Sequence, residues 1–193
     1  MRKVIASEIV SLDGVVESPE EWHFPYFNDQ IAEAIGAAMA ASDAMLLGRV
    51  TYEEFAAFWP SQEASEEDQE ATDYMNNTPK FVVSKTLEEP LEWNNSTLIE
   101  GDVAEEVSRL KQQPGKDILV FGSGKLVNTL MRDELIDEYR LMIFPIIVGG
   151  GQRLFADRIG EMVLRLVDTE TFGSGVVVLT YRPAAEQDAG QGS

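Results

Sequence analysis

The sequence predicts an α/β fold of three layers, in which helices flank a mixed, mostly parallel sheet that ends in an antiparallel C-terminal hairpin. Short apolar runs rich in β-branched residues alternate with segments of helical periodicity along most of the chain. Strands that alternate with helices are typical of a parallel sheet with helices on its faces. Near the C-terminus, two strand-like segments are separated only by Phe172-Gly173-Ser174-Gly175, which predicts the hairpin.

The individual elements follow from periodicity and from cap and turn residues. Asp13-Gly14 marks a turn after the first strand. Either Asn28 or Asp29 is the N-cap of the first helix. In chain order, the sequence predicts a strand over 3–11, a helix from 28, a strand over 43–48, a helix over 51–58, strands over 80–84 and 96–100, a helix capped by 102 that runs to 112, a strand over 117–121, a helix over 126–132, a strand over 136–144, a strand-like run over 146–148, a short helical turn over 152–156 and hairpin strands over 162–171 and 176–182.

Length and composition suit one cytoplasmic domain. We expect residues 1–182 to form it and the small, polar residues 183–193 to be a disordered tail. The absence of cysteine excludes disulfides, thiolate metal sites and cysteine nucleophiles, and no metal site is expected. No apolar run approaches the ~18 residues that span a bilayer, and the N-terminus passes into a strand without a signal peptide.

The charge is strongly acidic. With 15 basic and 34 acidic residues, the net charge of −19 argues against nucleic-acid and anionic-membrane partners. It does not exclude a nucleotide, because a few local cations and helix N-termini can outweigh a distant acidic field. Much of the excess lies in residues 63–73, which we expect to be a solvated loop or a short surface helix.

Two junctions of strand, glycine and helix are the most informative local features. In one, the apolar run 117–121 stops at Gly122-Ser123-Gly124, and in the other the run 44–47 stops at Gly48. The first N–H groups of a helix are unpaired, and glycine lets an anion approach the backbone, so each junction suits a phosphate. The alternative is that each glycine only permits a tight turn. Two such junctions, each beside a cation, together indicate a dinucleotide, although the Rossmann glycine pattern is a poor match.

The order and spacing of several short motifs resemble the dihydrofolate reductase fold. More narrowly, they resemble the C-terminal reductase domain of the bifunctional riboflavin biosynthesis protein RibD, over residues 2–182. The motifs that carry the resemblance are Ser11-Leu12-Asp13-Gly14, Gly48-Arg49-x-Thr51-Tyr52, Val83-Ser84-Lys85, Phe121-Gly122-Ser123-Gly124 and Pro145-x-x-x-Gly149-x-Gly151-x-x-Leu154-Phe155.

The resemblance implies NADPH as the hydride donor. Gly48, Arg49 and Thr51 match the turn at which the pyrophosphate meets a helix N-terminus, and the Thr51 hydroxyl and N–H are expected to donate to phosphate oxygens. Ser84 and Lys85 match the strand end that receives the 2′-phosphate, or else are an ordinary polar strand end. The second pyrophosphate-facing turn is matched by Gly122, Ser123, Gly124, Lys125 and Leu126.

The substrate side is marked by fewer residues. Asp13 either faces the nicotinamide as a catalytic group or shapes its turn, and Asp29 either faces the substrate as the catalytic acid or caps a helix. Trp22 and His23 are expected substrate contacts, with His23 as an acid or merely an exposed loop residue. Arg153 is a candidate clamp for a substrate phosphate.

The chain is therefore expected to be an NADPH-dependent reductase of a small heterocyclic substrate, similar to 5-amino-6-(5-phosphoribosylamino)uracil reductase. Three alternatives stay open: a cofactor-binding homodimer with weak or lost activity, a dihydrofolate or pteridine reductase, and a regulatory nucleotide-binding module. With no cysteine and one histidine, the chain carries no zinc deaminase. The resemblance also implies a homodimer, formed through the late strands around 141–148.

Overall fold

The computed structural model describes residues 1–61, 69–155 and 160–184, and within these ranges the strands form one mixed sheet. The strands are β1 (Val4–Ser11), β2 (Ser42–Gly48), β3 (Lys80–Val83), β4 (Ser96–Ile99), β5 (Asp117–Phe121), β6 (Glu138–Phe144), β7 (Leu164–Thr171) and β8 (Val177–Pro183). Their order in the sheet is β4-β3-β2-β5-β1-β6-β8-β7. The strands from β4 to β6 are parallel, and β8 pairs antiparallel with β6 and β7. The predicted fold class is confirmed.

Five α-helices are described, and the cap residues explain where two of them begin. They are α1 (Asp29–Ala40), α2 (Arg49–Phe58), α3 (Gln69–Asn77), α4 (Val103–Gln112) and α5 (Gly124–Arg132). The Asn28 side chain accepts a hydrogen bond from the N–H of Ile31, so Asn28 is the N-cap of α1 and Asp29 is its first residue. Asp102 caps α4 in the same way, as predicted.

The helices cover both faces of the sheet. Buried residues of α4 and α5 share one core with alternate residues of the central strands. Buried residues from the C-terminal half of α1, from α2 and from α3 share a second core on the opposite face. Leu46 and Leu47 on β2 are both fully buried and belong to opposite cores. Each such burial contributes about 1.5–3 kcal/mol to stability. Because helices cover both faces of the sheet, the parallel strands are buried on both sides and have continuous apolar sequences.

Two predicted elements between β6 and β7 are wrong. The run 146–148 is not a strand, because the Asp13 carboxylate accepts the N–H groups of Val148 and Gly149. Residues 152–155 do not form a helical turn. Arg153 pairs instead with Val15 in an isolated antiparallel bridge, and residue 156 lies outside the described ranges.

Two further predictions fall partly outside the described ranges. In the acidic segment, residues 69–73 belong to α3, and 62–68 are not described. At the C-terminus, Pro183 ends β8 and the N–H of Ala184 donates to the Val163 carbonyl, so these two residues do not belong to a disordered tail. Residues 185–193 are not described.

Candidate functional site

Two strand–helix junctions lie side by side at the carboxyl edge of the sheet. β2 and β5 are neighbouring parallel strands, and α2 and α5 begin directly after them. The buried residues of α2 join one core and those of α5 the other, so the two helices leave this edge on opposite faces. A crevice at such a switch point is the usual ligand site of an open α/β sheet.

A continuous chain of hydrogen bonds joins the two junctions. The Gly48 N–H donates to the Ser123 hydroxyl oxygen at 3.0 Å, and that hydroxyl donates to the Thr51 oxygen at 3.0 Å. The Thr51 hydroxyl in turn donates to the Gly122 carbonyl at 2.8 Å. Thr51 and Ser123 are buried. In this arrangement the Thr51 proton is used inside the protein, which differs from the expectation that the hydroxyl donates to a phosphate.

The first turns of α2 and α5 are the parts of this edge that are suited to an anion. Their N-cap residues, Gly48 and Ser123, make no side-chain capping hydrogen bond. The N-terminal N–H groups of a helix have no intrahelical partner and carry partial positive charge. Arg49, half-exposed, pairs with Glu53 at 2.6 Å, and Lys125 is exposed at the start of α5. Two helix N-termini with adjacent cations can hold two linked phosphate groups.

The glycines after β5 have structural reasons of their own. Gly122 has a φ of +68°, in the left-handed region that favours glycine. A Cβ atom on Gly124 would lie 3.0 Å from Val16 Cγ2 and 3.1 Å from Gln152 Nε2. Turn geometry and close packing therefore account for these two glycines, so a phosphate site depends on the helix N-termini rather than on the glycine pattern.

Glu8 is the residue of this region that the sequence analysis missed. It lies on β1 and is 2% exposed, and its Oε1 atom has no hydrogen-bond partner among the described residues. Burial raises its pKa to about 8, although the N–H groups of Ser123 and Gly122 donate to the carboxyl and lower it. The available signal was an acidic residue inside a mostly apolar strand. The two turn N–H groups thus face Glu8.

Ser84 and Lys85 lie at the same edge of the sheet, because β3 is the parallel neighbour of β2. The buried Ser84 hydroxyl oxygen accepts hydrogen bonds from the N–H groups of Thr86 at 3.1 Å and Leu87 at 3.0 Å, which shapes the turn after β3. Lys85 is exposed. The hydroxyl has a local structural role, and the ammonium group remains accessible to a ligand.

Asp13 joins the turn after β1 to the glycine-rich loop that follows β6. Its carboxylate accepts hydrogen bonds from the Ser11 hydroxyl at 2.7 Å, the Val148 N–H at 3.0 Å and the Gly149 N–H at 2.9 Å. The Ser11 bond, followed by these backbone bonds, lowers the Asp13 pKa to about 2. The Arg153 side chain donates to the Asp13 carbonyl at 3.0 Å. Asp13 is therefore an ionised acceptor near neutrality and holds no proton to give.

Comparison with known proteins identifies the family. The sequence model of the RibD C-terminal domain matches residues 2–178, nearly the whole chain. The chain belongs to the RibD C-terminal domain family.

Three similar proteins place this RibD C-terminal domain among known relatives. The Bacillus subtilis (strain 168) protein YyaP, described as uncharacterized, is 32% identical over 190 residues, which are 93% of this chain and 94% of YyaP. A candidate riboflavin biosynthesis protein from Shewanella sp. PV-4 has a TM-score of 0.76 at 22% identity, over 96% of this chain and 100% of its own. Dihydrofolate reductase from Enterococcus faecalis, complexed with NADP(H), has a TM-score of 0.65 at 12% identity, over 95% and 97%. The two structural matches support the fold.

Trp22 and His23 of this RibD C-terminal domain belong to an aromatic cluster under the first loop. Trp22 is buried edge-on against Phe144, and its Nε1–H donates to the Glu17 carbonyl at 3.2 Å. His23 is 9% exposed, so the alternative of an exposed loop histidine is wrong. Its Nδ1 lies 2.6 Å from the Pro19 carbonyl oxygen, which can only accept, so Nδ1 carries a proton. Both rings contribute to packing.

Most of the predicted site residues of this RibD C-terminal domain lie at one edge of the sheet. The two helix N-termini, the end of β3 and the turn after β1 share that edge, and Asp13 in this turn is linked directly to Arg153. Asp29 is exposed at the first residue of α1, where Asn28 already provides the cap. Within the described ranges, no group of three or more histidine, aspartate or glutamate side chains is placed to hold a metal ion. No described helix is long and apolar enough to cross a membrane.

Proposed function

We propose that this protein is an NADPH-dependent reductase of a small heterocyclic substrate, similar to 5-amino-6-(5-phosphoribosylamino)uracil reductase. The observation that carries the proposal is the pair of helix N-termini, α2 and α5, hydrogen-bonded to each other at the switch point of the sheet. Membership of the RibD C-terminal domain family supports a reductase of the riboflavin-pathway type.

The residues of the crevice fit a dinucleotide. The first turns of α2 and α5 offer two adjacent sets of N–H groups, which suit the two phosphates of a pyrophosphate. The Lys85 ammonium group at the end of β3 suits a 2′-phosphate, and this residue supports NADPH over NADH. When bound, the cofactor supplies the hydride, and the protein binds and orients both partners.

The proton for the reduced bond comes from a group other than Asp13. Its carboxylate accepts three hydrogen bonds and is ionised near neutrality, so its role in the proposal is to hold the loop at Val148 and Gly149 beside the turn after β1. Asp29 is exposed at the first residue of α1, and no hydrogen bond or ion pair with another described residue holds its carboxylate towards the crevice. Dihydrofolate reduction through Asp29 therefore gains no support.

The test begins with calorimetric titration of the protein with NADPH and, separately, with NADH. We expect binding that prefers NADPH, followed by NADPH oxidation when 5-amino-6-(5-phosphoribosylamino)uracil is added. The Lys85→Ala variant should reduce the ratio of the affinity for NADPH to that for NADH. The matched control is Lys116→Ala, which removes another exposed lysine, one whose ammonium group donates to the Ala40 carbonyl. Failure of the wild-type protein to bind either nucleotide would refute the reductase proposal.

A cofactor-binding homodimer with weak or lost activity is the second candidate, and one observation favours it. The Gly122 and Ser123 N–H groups face Glu8, and the Thr51 hydroxyl donates to the Gly122 carbonyl. Fewer hydrogen-bond donors are therefore available to a cofactor than the sequence motifs predict. This candidate predicts NADPH binding without NADPH oxidation for any pyrimidine or pteridine substrate. Turnover with one of them would exclude it.

For a homodimer, we propose that the two subunits contact each other through the C-terminal strands β7 and β8 and not through the edges of β6. β6 lies between β1 and β8, so both of its edges are paired. The terminal strand β7 is largely exposed, with Leu166 47% exposed, and β8 is only half-buried. An exposed apolar side chain on a strand with one unpaired edge is a common contact between subunits. Leu166→Lys should convert a dimer to a monomer in sedimentation analysis, and Leu12→Lys is a control at an exposed leucine outside β7 and β8.

A further inference from the structure

Glu8 is a buried carboxyl beneath the turn that precedes α5. We infer that Glu8 is a positioning residue of the cofactor site. In its protonated form the side chain leaves the turn Gly122–Ser123 able to receive a phosphate, and in its ionised form it takes up the N–H groups of that turn and excludes the phosphate. The inference rests on the proposed function and deepens it, because it concerns how the same crevice accepts NADPH.

The strand register places the Glu8 side chain under this turn. Side chains alternate along β1, and the residues two positions before and after Glu8 belong to the core that α5 shares, so Glu8 points to that face of the sheet. The last pair between β1 and β5 is Ser7 with Phe121, so Glu8 lies one residue beyond the end of β5. The carboxyl therefore fills the space beneath the turn, and the N–H groups of Gly122 and Ser123 donate to it.

One oxygen of this carboxyl has no partner. The Oε1 atom is inaccessible to solvent and accepts no hydrogen bond from a described residue. Because a buried anion needs a charged partner or a full set of hydrogen-bond donors, these surroundings stabilise the neutral acid. The same burial raises the Glu8 pKa to about 8. The protonated carboxyl is thus the form that the folded protein contains near neutrality.

No charged side chain within the described ranges compensates an ionised Glu8, which forms no ion pair there. The charged groups on β1, β5, β6 and α5 are either exposed or bonded to other residues, and they are Asp13, Asp117, Lys125, Arg132, Glu138 and Arg140. Arg49 on α2 is paired with Glu53, and Arg153 donates to the Asp13 carbonyl. An ionised Glu8 would therefore be a buried charge that only the two turn N–H groups stabilise.

Ionisation of Glu8 changes what the turn can bind. A carboxylate accepts hydrogen bonds from N–H groups roughly twice as strongly as a neutral acceptor does, and its charge offsets the partial positive charge of the helix N-terminus. A phosphate at the first turn of α5 depends on the same positive charge. Ser123 also joins this turn to α2, because its hydroxyl bonds Gly48 and Thr51. The ionised carboxyl therefore competes with a pyrophosphate at both helix N-termini.

The test is a calorimetric titration with NADPH at about pH 7 and about pH 9. The affinity of the wild-type protein should fall about tenfold, because at about pH 9 roughly one tenth of a carboxyl with a pKa of about 8 carries a proton. Glu8→Gln keeps a carbonyl oxygen for the turn but no charge, so its affinity should fall less than about twofold. Glu70→Gln, which changes an exposed glutamate on α3, is the matched control and should behave like the wild-type protein.

Proton uptake is a second readout that needs only the wild-type protein. Titrations at about pH 9 in two buffers of different ionisation enthalpy should show that binding of NADPH takes up most of one proton. A purely structural role of Glu8 would lower the affinity of Glu8→Gln equally at both pH values, without proton uptake by the wild-type protein. That result, or equal falls in affinity for both proteins, would overturn the inference and leave NADPH binding intact. Absence of NADPH binding by the wild-type protein at about pH 7 would refute the reductase proposal and the inference together.

Discussion

At the scale of single residues, Glu8 and Asp13 lie close in sequence, yet their surroundings shift their pKa values in opposite directions. Burial without a charged partner raises the Glu8 pKa to about 8. Hydrogen bonds from Ser11, Gly149 and Val148 lower the Asp13 pKa to about 2. Near neutrality, the proton therefore resides on the buried carboxyl beneath the turn after β5 and not on the carboxylate at the end of β1.

The Glu8 shift predicts a pH dependence of stability. A carboxyl with a raised pKa in the folded state stabilises the fold fully below its ordinary value of 4.5, and this contribution is lost as the pH rises towards about 8. Between these values the free energy of unfolding of the wild-type protein should fall, relative to Glu8→Gln, by about 1.4 kcal/mol per pH unit. Urea unfolding at several pH values measures the two slopes. The exposed Glu170→Gln on β7 is the control, and parallel slopes for wild type and Glu8→Gln would contradict the assignment.

The Asp13 carboxylate predicts a local effect. Asp13→Asn cannot accept all three hydrogen bonds, so the N–H groups of Val148 and Gly149 should exchange with solvent more rapidly. Hydrogen–deuterium exchange of the peptide that covers 145–150 measures the change. Asp168→Asn is a matched control, since among the described residues the Asp168 carboxylate accepts a hydrogen bond only from the N–H of its neighbour Thr169. Unaltered exchange in Asp13→Asn would show that the carboxylate does not hold this loop.

At the scale of elements, α2 and α5 depend on each other through Thr51 and Ser123. The residues are 72 positions apart in the chain, but β2 and β5 are neighbours, so the hydroxyls meet at 3.0 Å. Both hydroxyl groups in this chain are buried, and each finds its hydrogen-bond partners within the protein. The two helix N-termini are thus positioned as one unit, which is the property that a pyrophosphate site requires.

This coupling is measurable by a double-mutant cycle. Thr51→Val and Ser123→Ala should each destabilise the protein by about 1–3 kcal/mol, because each leaves a buried polar group without its partner. The double variant should lose less free energy of unfolding than the sum of the losses in the two single variants, by at least about 0.5 kcal/mol. Thr129→Val is the control, because within the described part of the chain the Thr129 hydroxyl bonds only the Lys125 carbonyl on the same helix. Strict additivity of the two changes would mean that the junctions are not coupled.

At the scale of the whole molecule, the surface charge opposes the compact state. A net charge of −19 on 193 residues produces self-repulsion that salt screens. Raising sodium chloride from low to moderate concentration should therefore increase the melting temperature by about 2–4 °C, which corresponds to roughly 1 kcal/mol for a chain of this size. Calorimetry at neutral pH measures the shift. A decrease would show that attractive ion pairs, rather than repulsion, dominate the surface.

Much of the fold could be predicted because its signals are local. The alternation of apolar runs and helical segments, the Asp102 cap and the C-terminal hairpin are each encoded within short windows, and all are confirmed. Predictions between β6 and β7 were wrong because distant partners decide that region. The Gly149 N–H bonds Asp13, 136 positions away, and Arg153 pairs with Val15. No window of the sequence contains both members of these pairs.

The same distinction applies to the candidate site. Sequence alone established the two strand–glycine–helix junctions, the absence of cysteine chemistry and the acidic surface, because turn chemistry and composition can be read directly from residue types. The tertiary structure determines which hydrogen-bond donors have partners within the protein, because the sheet places β2 beside β5 and β1 between β5 and β6. Hydrogen bonds and desolvation depend on neighbours in space, so the bonded hydroxyls of Thr51 and Ser123 and the protonated Glu8 emerge only from the folded chain.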